Sequence, residues 1–375
     1  MLRSLLKSLW SRRDSAAQIG KPEAKAAAAS GAHSQTAVLS RLASIVAQQG
    51  LEVTGKEAPA APAAGRPARA ELPILQLIAH CHGLASDQLQ AAAAERVERF
   101  SAAFSRAACD GALNVFVFHV DLPAGENIDY VDVRFKPGDF DYLHILESFI
   151  ERLRAHVAGA VVYLVTSEGS RYAALGAPDV RVIELPIDGS QPMYDRATAL
   201  LGYARSRAFG VATACLDSDA LVNRPLAALF DLGFDVALTY RNVHRLMPVN
   251  EGVMFLHPQR AGAAASFLQR RLATYDRIAS DDLITGYYGN VKRWRGGQLS
   301  LNALAYEALP CSPYRVWDSA GTRLRFLPGD TFNFAAAEGE ATSSLDRLDE
   351  CYVIHYKGWR KHAFAFAARA QSDRH

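Results

Sequence analysis

From residue 112 onward, apolar runs of strand length alternate with stretches of helical period. Leu113-Asn114-Val115-Phe116-Val117-Phe118-His119-Val120 is β-branched and aromatic, the character of a strand buried on both faces. Tyr142, Ile145, Leu146, Phe149, Ile150 and Leu153 then recur at helical spacing, which predicts an amphipathic helix. Ala160 to Thr166 is a second buried strand, closed by Ser167-Glu168-Gly169, and Val180 to Leu185 a third. Residues 194–208 read as a helix, followed by a strand ending at Leu216 and a short helix running to Phe230. Asp235 to Tyr240 and Val249 to Leu256 are further strands. Helices are expected from Ala263 to Asp276 and from Leu299 to Ala308, with short strands at Ser312–Trp317, Arg323–Leu327 and Tyr352–Tyr356. Strands and helices in this order predict an α/β fold with a mixed, mostly parallel central sheet.

The part before residue 111 is different. Leu72 to Phe104 reads as helical, first through Ile74, Leu75, Leu77 and Ile78 and then from Gln88 onward. His80 and His82 flank Cys81 without further ligands at close spacing and read as helix-end residues. Residues 15–70 are dominated by Ala, Gly, Ser and Pro, with Ala58 to Gly65 plainly linker-like. Such a composition buries little and need not fold. A small helix is expected between Val38 and Val53. The expected divisions are a low-complexity extension over 1–70, a helical segment over 71–110 and a catalytic domain over 111–375.

Charge sharpens this division. The 375 residues carry a net charge of +2, but residues 1–70 hold ten Lys and Arg against four Asp and Glu, so the remainder is at −4. A body without a basic field does not suit nucleic acid. Leu2, Leu5, Leu6 and Leu9 share a helical face, with Arg3, Lys7, Arg12 and Arg13 around them. That pattern allows residues 2–13 to lie on an anionic membrane surface, the alternative being a frayed start packed elsewhere. The five cysteines are scattered, with no CxxC, as in a reducing compartment. No apolar run reaches the roughly 18 residues of a membrane span. The expected location is the cytoplasm, peripheral to the inner membrane face if the basic start binds there.

Candidate chemistry concentrates at Asp217-Ser218-Asp219, where an apolar strand stops in two carboxylates. Ligands of open α/β sheets sit outside the carboxyl ends of the strands. Two acids one residue apart can share a hard divalent cation such as Mn²⁺ or Mg²⁺. Asp-x-Asp also occurs as a solvated turn or a helix cap. Neither GxGxxG after the first strand nor GxxxxGK[ST] is present, which argues against a Rossmann dehydrogenase or a P-loop NTPase. The last strand ends in His355-Tyr356-Lys357-Gly358-Trp359-Arg360-Lys361, spaced His-x-x-Gly-x-x-Lys. An imidazole at a strand end can join two carboxylates on a metal, Gly358 permits a close turn, and the cations suit a diphosphate. The alternative is a solvated basic tail, since Arg369 and Arg374 follow, but such a tail needs no preceding buried strand, no His at its tip and no Gly.

Asp217-Ser218-Asp219 and His355-x-x-Gly358-x-x-Lys361, with His355 136 residues after Asp219, together resemble the GT-A glycosyltransferases of family 8, the glycogenin and bacterial lipopolysaccharide galactosyltransferase type. Asn250-Glu251-Gly252-Val253 resembles the family's Asn-Ala-Gly-Val, and Gly297-Gln298-Leu299-Ser300-Leu301-Asn302 its Asp-Gln-Asp-x-Leu-Asn. The resemblance covers residues 112–364. It implies a GT-A fold and a metal-dependent, retaining transfer of a sugar from a nucleoside-diphosphate-sugar donor to a glycan, glycolipid or protein acceptor, as in surface glycan or lipopolysaccharide synthesis. It assigns Asp217, Asp219 and His355 to the metal, with Asp217 also on the ribose. Arg196 and Gly358 go to the donor, Lys361 to the leaving diphosphate, and Asn250 and Gln298 to the reaction centre.

Two departures stand out. The family's acid before Gln298 is Gly297, and Asp281-Asp282 is the expected substitute in space. The small residue after Asn250 is Glu251, expected to contact acceptor or face solvent. A nucleotidyltransferase, a metal phosphohydrolase and a non-catalytic relative kept for interaction are the other readings. The first would want a glycine-rich basic loop where His119-Val120-Asp121-Leu122-Pro123 stands. The second would want more carboxylate and histidine ligands. Gly297 favours the third.

Overall fold

The computed structural model describes residues 74–121, 128–130, 133–135, 141–241, 247–313, 315–335 and 351–357. The chain divides at residues 68 and 69, and residues 69–375 form one compact unit. The readings for residues 1–70, including the surface helix over 2–13, lie outside the described residues, as do Gly358 and Lys361.

Eight strands make one sheet. In spatial order they are β10 (Val316–Ser319), β11 (Thr322–Pro328), β8 (Val236–Tyr240), β9 (Val249–Leu256), β6 (Thr213–Leu216), β1 (Leu113–Phe118), β4 (Ala160–Ser167) and β5 (Val180–Leu185). β5, β4, β1 and β6 run parallel, as do β8 and β11, while β9 and β10 run against their neighbours. The mixed, largely parallel α/β sheet expected from the sequence is thus present and is consistent with GT-A topology. β2 (Ile128–Tyr130) and β3 (Val133–Phe135) form a separate hairpin, and β7 (Ala220–Val222) pairs with β12 (Val353–His355) in a small ribbon.

Strand residues alternate faces, so both faces of the sheet are covered. Phe116, Val161, Tyr163 and Val165 enter a core with α2 (Ala91–Arg106), α4 (Pro192–Arg205) and α5 (Ala261–Ala279). Leu113, Val115, Val117, Val162 and Leu164 enter the opposite core with α3 (Tyr142–His156) and the β7–β12 ribbon. Asp141 caps α3, its side chain accepting from the Leu143 and His144 amides, which satisfies donors the helix cannot. α2 and α4 cross closely at Gly202, where a Cβ would lie 3.1 Å from the Ser101 amide nitrogen and 3.2 Å from the Val97 carbonyl.

The expected helical segment becomes α1 (Ile74–Gly83) and α2. α1 packs on α7 (Gly296–Ala305), in a third core that includes Leu77, Ile284 and Leu299. His80 and His82 are not metal ligands here: His80 bonds Asp281 at 3.0 Å, and His82 Nδ1 donates to the Ala303 carbonyl at 2.9 Å. The strand expected at Ser312–Trp317 instead begins at Val316, because Ser312 and Pro313 precede it in an irregular approach. Among the described residues, no helix is long and apolar enough to cross a membrane.

Candidate metal centre

β6 ends the parallel half of the sheet, and Asp217-Ser218-Asp219 turns the chain from β6 into β7. β12 pairs antiparallel with β7, placing His355 opposite Ala220. Residues 136 positions apart therefore meet. Asp217, Asp219 and His355 each offer a ligand atom, and these atoms lie within 4.8 Å of one another. His355 Nε2 is 3.0 Å from Asp219 Oδ1 and 3.3 Å from Asp217 Oδ2.

The proton on His355 follows from Asn333, on the segment after α8 (Gly329–Phe332). Both Asn333 amide hydrogens are used, one donated to Thr239 Oγ1 at 2.8 Å and one to Asn250 Oδ1 at 2.7 Å. Its Oδ1, 2.9 Å from His355 Nδ1, accepts that ring N–H. Nε2 is then the lone-pair nitrogen and faces two carboxylates. His355 is 3 % exposed, and burial, with the Lys357 charge, holds its pKa below the usual imidazole value, although Asp219 and Asp217 pull the other way. With Nδ1–H given to Asn333, the Nε2 lone pair lies beside the two carboxylates. Such a donor set fits a divalent cation such as Mn²⁺ or Mg²⁺.

β9 supports the cluster from beneath. Its register against β8 jumps between Leu238↔Met254 and Thr239↔Asn250, a bulge of the kind that re-aims side chains at functional sites. The bulge carries Glu251, Gly252 and Val253. The Gly252 carbonyl accepts from the Asp217 amide at 2.9 Å. A Cβ on Gly252 would lie 2.6 Å from Asp217 Oδ2 and 2.9 Å from His355 Nδ1, so this position must be glycine.

Glu251 is buried and does not face solvent. Its Oε1 accepts from Arg196 Nη1 at 2.7 Å and its Oε2 from Arg271 Nη2 at 3.0 Å. Arg196 reaches on to Asp217 Oδ1 at 2.7 Å. Burial acts to lower the Arg196 pKa, but Asp217 and Glu251 outweigh it and the net shift is upward. Arg271 is shifted down by burial despite Glu251. The carboxylate lying against Gly297 is that of Glu251. Asp281 caps α6 (Asp282–Tyr288), accepting from the Ile284 amide at 3.0 Å, and also bonds His80.

Asn250 Nδ2 donates to Gln298 Oε1 at 3.4 Å, which brings those two expected site residues together beside Asn333. Arg196 joins the cluster through Asp217. Ser218, between the two acids, is also fixed. Tyr172 donates its hydroxyl proton to Asp121, so its oxygen accepts from His119 Nε2 at 3.1 Å, and His119 Nδ1 accepts from Ser218 Oγ at 3.1 Å. The sequence singled out neither Asn333 nor the His119–Ser218 link. Asn333 lies in no motif, and His119 signals only as a polar residue ending a buried strand.

No protein-family model matches the chain, and no curated protein matches it in sequence. Solved structures do align with it. The glycosyltransferase GlyE of Streptococcus pneumoniae is 16 % identical with a TM-score of 0.41, over 71 % of this chain and 64 % of that one. The galactosyltransferase LgtC, in complex with donor and acceptor sugar analogues, is 12 % identical with a TM-score of 0.39, over 68 % and 95 %. Mouse xyloside xylosyltransferase 1 is 11 % identical with a TM-score of 0.36, over 65 % and 97 %. The chain thus spans less than two thirds of the GlyE chain. Nothing about activity follows from likeness at this level.

Proposed function

We propose that the protein is a metal-dependent glycosyltransferase that takes a nucleoside-diphosphate-sugar donor and passes the sugar to an acceptor hydroxyl. The observation that carries this reading is the cluster of Asp217, Asp219 and His355 at the carboxyl end of β6, whose ligand atoms lie within 4.8 Å of one another. A bound Mn²⁺ or Mg²⁺ would neutralise charge developing on a leaving diphosphate.

In this reading Asp217, Asp219 and His355 hold the cation, and Asp217 also meets the donor ribose. Arg196 fixes Asp217 while Glu251 fixes Arg196. Asn250 and Gln298 face the sugar. Lys361 steadies the diphosphate and Gly358 lets the backbone approach it. Transfer with retention, by front-side attack of the acceptor, and an acceptor of glycan, glycolipid or protein type belong to the same proposal. So do placement in surface glycan synthesis and a cytoplasmic site, with residues 2–13 at the inner membrane face.

Calorimetric titration with UDP, GDP and CDP tests it, each run with Mn²⁺ and with EDTA, and repeated on Asp219→Ala. Binding of one nucleotide that needs the metal and disappears in the variant supports the donor site. Absence of binding for every nucleotide, with Mn²⁺ and with EDTA alike, overturns it and leaves the fold as an interaction module.

A further inference from the structure

Beside the metal cluster is a cavity of about 260 Å³. Its described lining includes Tyr240, Arg241, Asn250, Asp330, Asn333 and Lys357. Arg241 follows β8 directly, and its Nε is buried with no hydrogen-bond partner. The Nε atoms of Arg152, Arg271 and Arg325 share that condition. Each of those residues, however, donates from a terminal guanidinium nitrogen, to Asn223, Glu251 and the Pro313 carbonyl respectively. Among the described residues, the Arg241 guanidinium has no such bond and no ion pair. Burial alone pulls its pKa below the usual arginine range. Arg241 is partly buried, its Nε lacks a partner, and an anion entering the cavity would supply one. Lys357 adds a second positive charge to the lining and Asp330 one negative.

We propose that this cavity binds a saccharide-borne oxyanion, a carboxylate or a phosphate, through Arg241. This rests on the glycosyltransferase reading and names its substrate class as an acidic or phosphorylated sugar. None of Asp217, Asp219 and His355 lines the cavity. Asn250 and Asn333 do, and Asn333 bonds His355. A sugar anchored at Arg241 would therefore sit one side chain from the cation site. Planar, bidentate recognition of carboxylate or phosphate suits arginine.

The test uses ¹⁵N side-chain arginine spectra of the full chain, with the Arg241 Nε–H signal assigned by its loss in Arg241→Gln. The titrants are inorganic phosphate, D-glucuronate, D-glucose 6-phosphate and D-glucose. The expected result is movement of that signal by at least one sugar oxyanion and not by glucose. Calorimetry should show that oxyanion binding about tenfold more weakly to Arg241→Gln than to wild type, with Arg241→Lys in between. Glucuronate against glucose 6-phosphate separates carboxylate from phosphate. Mn²⁺-dependent UDP affinity should be unchanged in Arg241→Gln, and a thermal melt confirms folding. No movement with any titrant, or equal movement with glucose, overturns the proposal. Equal weakening of UDP also overturns it, because Arg241 would then serve the diphosphate. If none of UDP, GDP and CDP binds wild type, the glycosyltransferase reading falls, while the sugar titrations still decide whether Arg241 takes an oxyanion.

Discussion

The carboxylate of Glu251 occupies the space that a side chain on Gly297 would need. A Cβ built there would fall against Glu251 Oε2 and 2.9 Å from Arg271 Nη2. The resemblance places a small residue at position 251 and an acid at 297, so the carboxylate stands on β9 instead of at the start of α7, in the same neighbourhood. Removing it leaves Arg196 and Arg271 buried without their shared counter-ion. Glu251→Ala should cost about 3–5 kcal/mol of stability, the usual penalty for breaking a buried pair, read from urea unfolding. In the double variant Glu251→Ala/Gly297→Asp the new acid should recover part of that loss. A coupling of about 0.5–3 kcal/mol in the cycle is expected for neighbours of this kind, and strict additivity would refute the exchange.

Asn333 fixes the ring tautomer of His355. Asn333→Leu removes the acceptor for Nδ1–H and should weaken Mn²⁺ binding about 10–100-fold, as lost outer-shell partners commonly do. Asn333→Asp retains an acceptor and should bind Mn²⁺ more tightly than Asn333→Leu. Titration calorimetry with Mn²⁺ alone is sufficient, and equal affinity in wild type and Asn333→Leu would remove the role.

Gly252→Ala puts a methyl group where Asp217 and His355 approach each other. Mn²⁺ binding should be lost, while far-UV circular dichroism stays native because the strain falls on two side chains at a sheet end. Retained binding would mean that the cluster opens more readily than its packing implies.

The depressed His355 pKa gives a pH dependence with a definite sign. Above pH 6.5, the ordinary imidazole value, folded and unfolded chains both hold the neutral ring and His355 contributes no slope. Below it, the unfolded chain takes up a proton that the folded chain resists, so stability falls with pH until the folded pKa is passed. With EDTA present, urea midpoints between pH 7.5 and 5 should fall more steeply for wild type than for His355→Gln. Parallel curves would show that burial leaves the ring unshifted.

The sheet was readable because its strands are long apolar runs, and Leu113–Phe118 and Ala160–Ser167 lie where periodicity placed them. The meeting of Asp217, Asp219 and His355 was legible as a spacing of motifs. The bulge in β9 was not, because Val249–Leu256 is an unbroken apolar pattern apart from Asn250-Glu251-Gly252. Nor was the fate of Glu251. An acid in a strand reads as solvent-facing, and its two arginines, Arg196 on α4 and Arg271 on α5, stand 75 positions apart in sequence. Asn333 was invisible for the same reason, since its value lies in three partners from three different elements.

β12 is held to β7 by only three residue pairs and lies outside the eight-stranded sheet. Its residues are nonetheless buried in the core, Ile354 bridges Phe334 on the far side, and the Tyr356 amide donates to the Asp219 carbonyl at 2.9 Å. Segments with such buried contacts open only at a cost approaching that of the whole fold. The imidazole arm is therefore roped to the turn that carries the carboxylates, and a cation held there would be gripped and released by all three side chains in one motion.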